Sequence, residues 1–246
     1  MSNWRRPLLI GVLTLIVGLI VKFPARVAYH WFAPADVVAI AGIQGTVWTG
    51  SAQSADLSGI YVGDLEWSFQ PLKLFTGKAA WTVSARPQFG TLATDIAVSP
   101  GGTIRLTDLE SNVSLQPIGD LIGVPGLRGT AAARFERLEI SDGYATAADG
   151  SVDVRGLIVP LVSRDSIGDY RAEFFTQEAG VIASVEDTNA VLDIAGRLTL
   201  GTDRSYELLA QLAPKPETPE QLRQQIQFLP SGDAPGRHEL RLMGEL

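Results

Sequence analysis

Catalysis needs side chains that titrate or bind metal, and this sequence spaces them poorly for either task. Its two histidines, His30 and His238, lie near opposite ends of 246 residues, and there is no cysteine. Disulfide staples, thiolate metal sites and a cysteine nucleophile are excluded. Neither histidine has a partner four residues away, the spacing that puts two ligands on one helix face. "GVPGLRG" (123–129) has glycines, but at the wrong spacing for a phosphate loop and with no helix after it, so it reads as a turn. "DGSVD" (149–153) holds a fragment of a calcium loop without the remaining ligands and reads as a hairpin turn. The pair Glu186–Asp187 reads as another polar turn, and "NVS" (112–114) matches a glycosylation tripeptide that occurs often by chance. No catalytic residue, cofactor or metal ion is expected.

The strongest local signal is instead "GTVWTGSAQSADLSGIYVGDLEWSFQP" (45–71), where glycines stand beside Trp48 and Trp67, with Trp81 following. Such aromatics serve either a recognition groove or a core in which each indole N–H finds a carbonyl. Core filling is the reading adopted here.

These residues must be positioned by elements, and the chain declares two kinds. Arg5 and Arg6 precede an uncharged run from Pro7 to Val21 in which eleven residues are Leu, Ile or Val. A helix there is expected to anchor the chain in a bilayer, with Trp4 and Phe23 at the interfaces and Lys22 snorkelling. The run ends in Lys22, Phe23, Pro24 and Ala25, a poor signal-peptidase site, so the anchor is expected to stay uncleaved. Gly11 and Gly18, two helical turns apart, offer a close helix–helix contact face. This divides the chain into an anchor (1–27), a connector (28–42) and a β domain (43–246).

From Ile43 onward the dominant period is two. Leu109, Val113 and Leu115 share a face, with Leu106 out of phase and a bulge expected near Asp108; Leu192, Ile194, Leu198 and Leu200 form another set. Turn signals fall at "PGG" (100–102), "SDG" (141–143), "ADG" (148–150), "DTN" (187–189) and "GTD" (201–203). The fold class is mainly β, a strongly curved, mostly antiparallel sheet forming a partly closed barrel or trough. One short helix is expected near 218–228, with Thr218 as N-cap, Gln221 as its capping-box partner and Leu222 and Ile226 as the buried stripe. "WSFQPLKLFTGKAAW" and "VSLQPIGDLIGVPGLRG" echo one another, each running from a strand through Gln-Pro to a Leu-bearing turn.

The net charge is −7, but residues 1–30 hold four basic residues and no acid, leaving 16 basic against 27 acidic, or −11, in the remainder. Such a body repels a phosphate backbone, so no nucleic-acid partner is expected.

Gly42, Gly45, Trp48 and Gly50 in "GIQGTVWTG", then Leu65, Trp67, Pro71, Leu74 and Gly77 in "GDLEWSFQPLKLFTG", resemble the motifs of the protein N (GspN) family of the bacterial type II secretion system. "FLPSGDAPGRHELRLMGEL" at the C-terminus resembles it too. The family is in turn similar to AsmA-like envelope proteins, whose curved sheets have an apolar interior. The resemblance implies a single-pass inner-membrane accessory with a cytoplasmic N-terminus, a periplasmic body, other secretion subunits as partners and no catalytic residues. The alternative it implies is a lipid-binding or lipid-transfer module holding acyl chains.

Overall fold

Alternating apolar and polar residues dictate strands, and short turns between them make each strand pair with the next. The structure, a computed structural model, describes residues 5–32, 38–57, 60–87, 90–99, 101–232 and 234–245. Two helices come first, α1 (Arg5–Val21) and α2 (Ala25–Phe32). The sheet begins with β1 (Val38–Ala41), β2 (Gln44–Gly45), β3 (Thr49–Leu57) and β4 (Ile60–Phe69). A 3-10 turn (Pro71–Thr76) leads to β5 (Ala79–Arg86), β6 (Gly90–Val98) and β7 (Ile104–Ser114). After α3 (Gln116–Leu121) come β8 (Arg128–Ser141), β9 (Tyr144–Ile158), β10 (Gly168–Gln177) and β11 (Gly180–Ala190). β12 (Leu192–Gly201), β13 (Ser205–Pro214), α4 (Glu220–Ile226) and β14 (His238–Glu245) complete the chain.

Among the described residues these strands form one fourteen-stranded antiparallel sheet in sequence order, with β2 pairing β3 beside β1. The sheet stays open, with β1 and β14 as its rims, so it does not close into a barrel.

Residues opposed in an antiparallel pair share a face. Leu65 opposes Ala85, Trp67 opposes Val83 and Phe69 opposes Trp81. The same apolar face continues through Phe135 opposite Leu109, Ala183 opposite Leu198, and Leu208 opposite Leu242. The other face carries cross-strand ion pairs: Arg105–Glu139 at 2.8 Å, Arg171–Asp153 at 2.7 Å and Arg137–Asp149 at 2.9 Å. One face therefore sheds water and the other holds it.

The sheet curls toward its apolar face. Cα atoms of β9 and β11 approach within 8 Å across β10, whereas strands two apart in a flat sheet lie about 9.6 Å apart. α3, which follows β7, likewise comes within 8 Å of β4, although β5 and β6 intervene. The bulge expected near Asp108 is present. Asp108 adopts φ 51°, and the register slips between Ala93 and Asp95, returning Leu106 to the face of Leu109.

Register also fixes the two ends of the sheet. The end of β7 and starts of β8, β10, β12 and β14 lie together, and there α3 and α4 cover the apolar face. α4 buries Leu222 and Ile226 against Ile167, Tyr170, Leu192 and Leu212, each side chain contributing about 1.5–3 kcal/mol. α3 lies over Leu115, Leu127 and Ala131. The opposite end holds α2, the start of β3 and the 3-10 turn.

Several expectations need correction. The helix expected to span a membrane is α1, whose 17 residues rise about 25 Å against a hydrocarbon core of about 30 Å. No helix among the described residues is long and apolar enough to cross a membrane. Trp4, expected at one interface, lies outside the described residues. α4 starts at Glu220 with Pro219 at its N-cap, while the Thr218 hydroxyl donates to the Val191 carbonyl instead of capping. "DGSVD" is no turn: it lies inside β9, where Asp149 pairs with Arg137 and accepts the Thr176 amide at 2.9 Å. Asp187 of "DTN" lies within β11, its carboxylate held by Lys215 and by the Ile194 amide at 2.8 Å. α3 was expected as a turn only.

Candidate functional site at the tryptophan junction

The turn between β2 and β3 works as a socket. Gly45 makes it possible, with φ 87°, and a Cβ there would stand 2.5 Å from the Thr49 carbonyl. The socket receives the end of α1: the Val47 amide donates to the Phe23 carbonyl at 3.1 Å, and Trp48 Nε1 donates to the Ile20 carbonyl at 2.8 Å. Carbonyls in a helix's last turn need partners from outside the helix, and Ile20 accepts two, the Phe23 amide at 3.2 Å and the indole N–H.

Two further tryptophans close on the same turn. Trp67 Nε1 donates to the Thr46 carbonyl and Trp81 Nε1 to the Val47 carbonyl, both at 3.0 Å. All three indoles thus find carbonyls, as a packed core requires. Phe69 stands between the rings, 4.6 Å from Trp48 edge-on and 5.2 Å from Trp81. Trp67 itself packs on Ala25, Ile43 and Ala52 with Leu65 alongside. Gly50 explains its own place in the motif: a Cβ would lie 2.4 Å from the Trp67 ring.

The junction brings together Gly45, Trp48, Gly50, Leu65 and Trp67. Gly42, with φ 69°, bends the chain between β1 and β2, and Gly77, with φ 73°, ends the 3-10 turn that Pro71 opens. Leu74 joins no cluster and faces outward. Trp81 was expected beside the other two indoles, but Phe69 and Ile20 were missed, because a pairing across 28 residues leaves no one-dimensional signal.

Beside the junction, Lys73 pairs with Asp95 at 3.1 Å, and Thr82 donates to the same carboxylate at 2.8 Å. Burial raises the Asp95 pKa, but hydrogen bonds involving Gln70, Thr82 and Lys73 outweigh it and hold the carboxyl below its usual range. His30 sits on α2 and His238 at the far end of the sheet, where its Nδ1 lies 3.1 Å from the Leu229 carbonyl. Among the described residues no three His, Asp or Glu side chains are grouped to hold a metal ion. The "NVS" tripeptide lies within β7. The junction is a mechanical joint: it grips a helix end and passes that grip to β3, β4 and β5.

Comparison with known proteins gives the joint a setting. Residues 36–241 match the family described as Type II secretion system (T2SS), protein N. The chain belongs to that family. It is 26% identical over 243 residues to a "Type II secretion system protein N" of Vibrio cholerae serotype O1, covering 94% of each chain. It is 24% identical over 255 residues to a protein of the same name from Aeromonas hydrophila, covering 98% of this chain and all of that one. No solved structure matches. The protein N family match runs from residue 36 to 241, so it takes in the junction turn and the sheet as far as the first half of β14, while α1 and α2 lie before it. The chain is thus a component of a type II secretion system.

Proposed function

We propose that this chain is an inner-membrane accessory of the type II secretion machinery, with residues 1–27 as its anchor segment, 28–42 as connector and 43–246 as a periplasmic scaffold. The observation that carries this reading is α1. Its apolar side chains from Ile10 to Val21 are exposed on all sides, while its C-terminal end is bonded to the socket. Burying such a helix in water-excluding lipid removes a contiguous apolar surface that water would penalise. Its 17 described residues rise about 25 Å, short of the hydrocarbon core of about 30 Å, and Lys22 just beyond them can reach the headgroups. Arg5 and Arg6 favour a cytoplasmic N-terminus. Eight of the nine motif residues act as structure, building the joint and its flanking turns, while Leu74 faces outward; no chemical step is assigned to any of them. Space is open around Gly11 and Gly18 for another helix to approach.

The test is biochemical. The chain should remain in the membrane pellet after carbonate extraction, and crosslinking in envelopes should recover other secretion subunits. Release into the supernatant rejects the anchor, and recovery of no secretion subunit rejects the scaffold.

A second reading is favoured by the apolar face of the sheet, where Leu92, Ile96, Leu106 and Leu198 are only half-buried. In this reading the trough holds acyl chains. A photoreactive residue at Leu198 should then yield lipid adducts in intact cells, and adduct-free protein removes the idea.

A further inference from the structure

The 3-10 turn is built the wrong way round for a water-facing loop. Leu72, Leu74 and Phe75 are 78%, 53% and 91% exposed, and none of the turn's residues is buried. Its polar groups meanwhile point back at the protein. The Lys73 amide donates to the Gln70 carbonyl at 3.1 Å, the Gly77 amide to the Leu74 carbonyl at 2.9 Å and the Thr76 hydroxyl to the Lys73 carbonyl at 2.7 Å. The Lys73 ammonium is held by Asp95, and Gln70 Nε2 donates to the Thr82 hydroxyl at 2.7 Å. This is the arrangement an apolar medium demands, with hydrogen-bonding groups paired internally and carbon outside.

The echo in the sequence provides a contrast. "QPLKLFTG" and "QPIGDLIG" both open a helical turn with Gln-Pro, yet the second packs Ile118 over buried Leu115 and Leu127. The first leaves its apolar side chains facing outward. The two turns also lie at opposite ends of the sheet, because one follows β4 and the other β7.

The exposed turn lies at the end where α1 leaves. Ile20 accepts from Trp48, Trp48 meets Phe69 edge-on, and Phe69 stands two residues before Pro71. Lys22 and Lys78 flank this region with positive charge that suits anionic headgroups. We propose that Leu72, Leu74 and Phe75 enter the bilayer surface as a second membrane contact, which with α1 fixes the tilt of the sheet on the membrane. The inference rests on α1 being the anchor.

A chain without cysteine allows single-cysteine labelling without background. Full-length protein carrying an environment-sensitive fluorophore at Leu13→Cys, Phe75→Cys or Phe228→Cys is reconstituted into phosphatidylethanolamine–phosphatidylglycerol vesicles with nitroxide-bearing lipids. Labels at 13 and 75 should lose emission, with 75 quenched by shallow nitroxides, while 228, at the other end of the sheet, keeps its emission. A label at 75 that stays in water while 13 is quenched overturns the second contact and leaves the anchor standing. Unquenched labels at both positions reject the anchor, and this inference falls with it. A label at 75 wet in vesicles but shielded in native membranes assigns the turn to a protein partner and also overturns the proposal.

Discussion

Gly50 and Trp67 show how closely the joint is packed. A methyl group at Gly50 would stand 2.4 Å from both the Gln44 carbonyl and the Trp67 ring. Gly50→Ala should therefore destabilise the protein by about 1–3 kcal/mol, read as a lower urea midpoint with unchanged slope. Trp48→Phe keeps a ring against Phe69 but removes the donor to Ile20. The expected loss is about 0.5–1.5 kcal/mol, together with faster protease cleavage between α1 and the sheet. Cleavage at the wild-type rate would mean that the indole bond does not hold the helix. The sequence made these residues visible as a motif and made indole–carbonyl pairing an expectation. It hid which carbonyls were used, because those bonds depend on where a helix end lands 28 residues away from its donor.

At the scale of elements, helix α4 is held by polar bonds as well as by its stripe. Leu222 and Ile226 were readable from their spacing. The role of Thr218 was not, since its hydroxyl serves a turn 27 residues earlier in place of the helix end. α3 escaped notice because six residues carry too little periodicity to declare a helix. Likewise "ADG" and "DTN" look like turns by composition, but neighbouring strands supply partners that keep Asp149 and Asp187 within ladders. Asp187 gives a pH test. Burial raises its pKa, but the hydrogen bonds and charge of Lys215 and the Ile194 amide outweigh this and hold it below the usual value. A lowered folded pKa means the stabilisation is complete above the unfolded value of about 3.9 and is lost as pH falls through the folded one. Asp187→Asn should cost about 1–3 kcal/mol at pH 7 and flatten the acid limb of a denaturation-versus-pH curve. A variant with the wild-type acid limb would show that the pair carries none of that dependence.

For the whole molecule, the two faces of the sheet make unequal contributions. Cross-strand pairs such as Arg137–Asp149 and Arg241–Glu207 are exposed at both partners, and such pairs are worth about 0–1 kcal/mol each. Arg241→Gln should barely move the melting temperature, and high salt should do little more. Leu222→Ala, which empties part of the cluster sealing one end, should cost about 2–5 kcal/mol. Comparable losses from both variants would mean that the charged face holds the trough together. The mainly β, antiparallel character of the molecule was legible from period-two alternation. A curved, incompletely closed sheet was expected too, but the choice between a partly closed barrel and an open trough was not legible, because curvature accumulates from bulges and small crossing angles that no local stretch encodes.

The rims of the open sheet differ in a way that limits assembly. One rim consists of β1, four residues long and followed by the bend at Gly42; the other is β14, eight residues without a break. Backbone donors and acceptors along β14 can take up an incoming strand, while the opposite rim gives a second strand little to hold. Among the described residues, a strand added at β14 would thus find no equally long, unbroken rim on the other side of the sheet from which a second addition could continue.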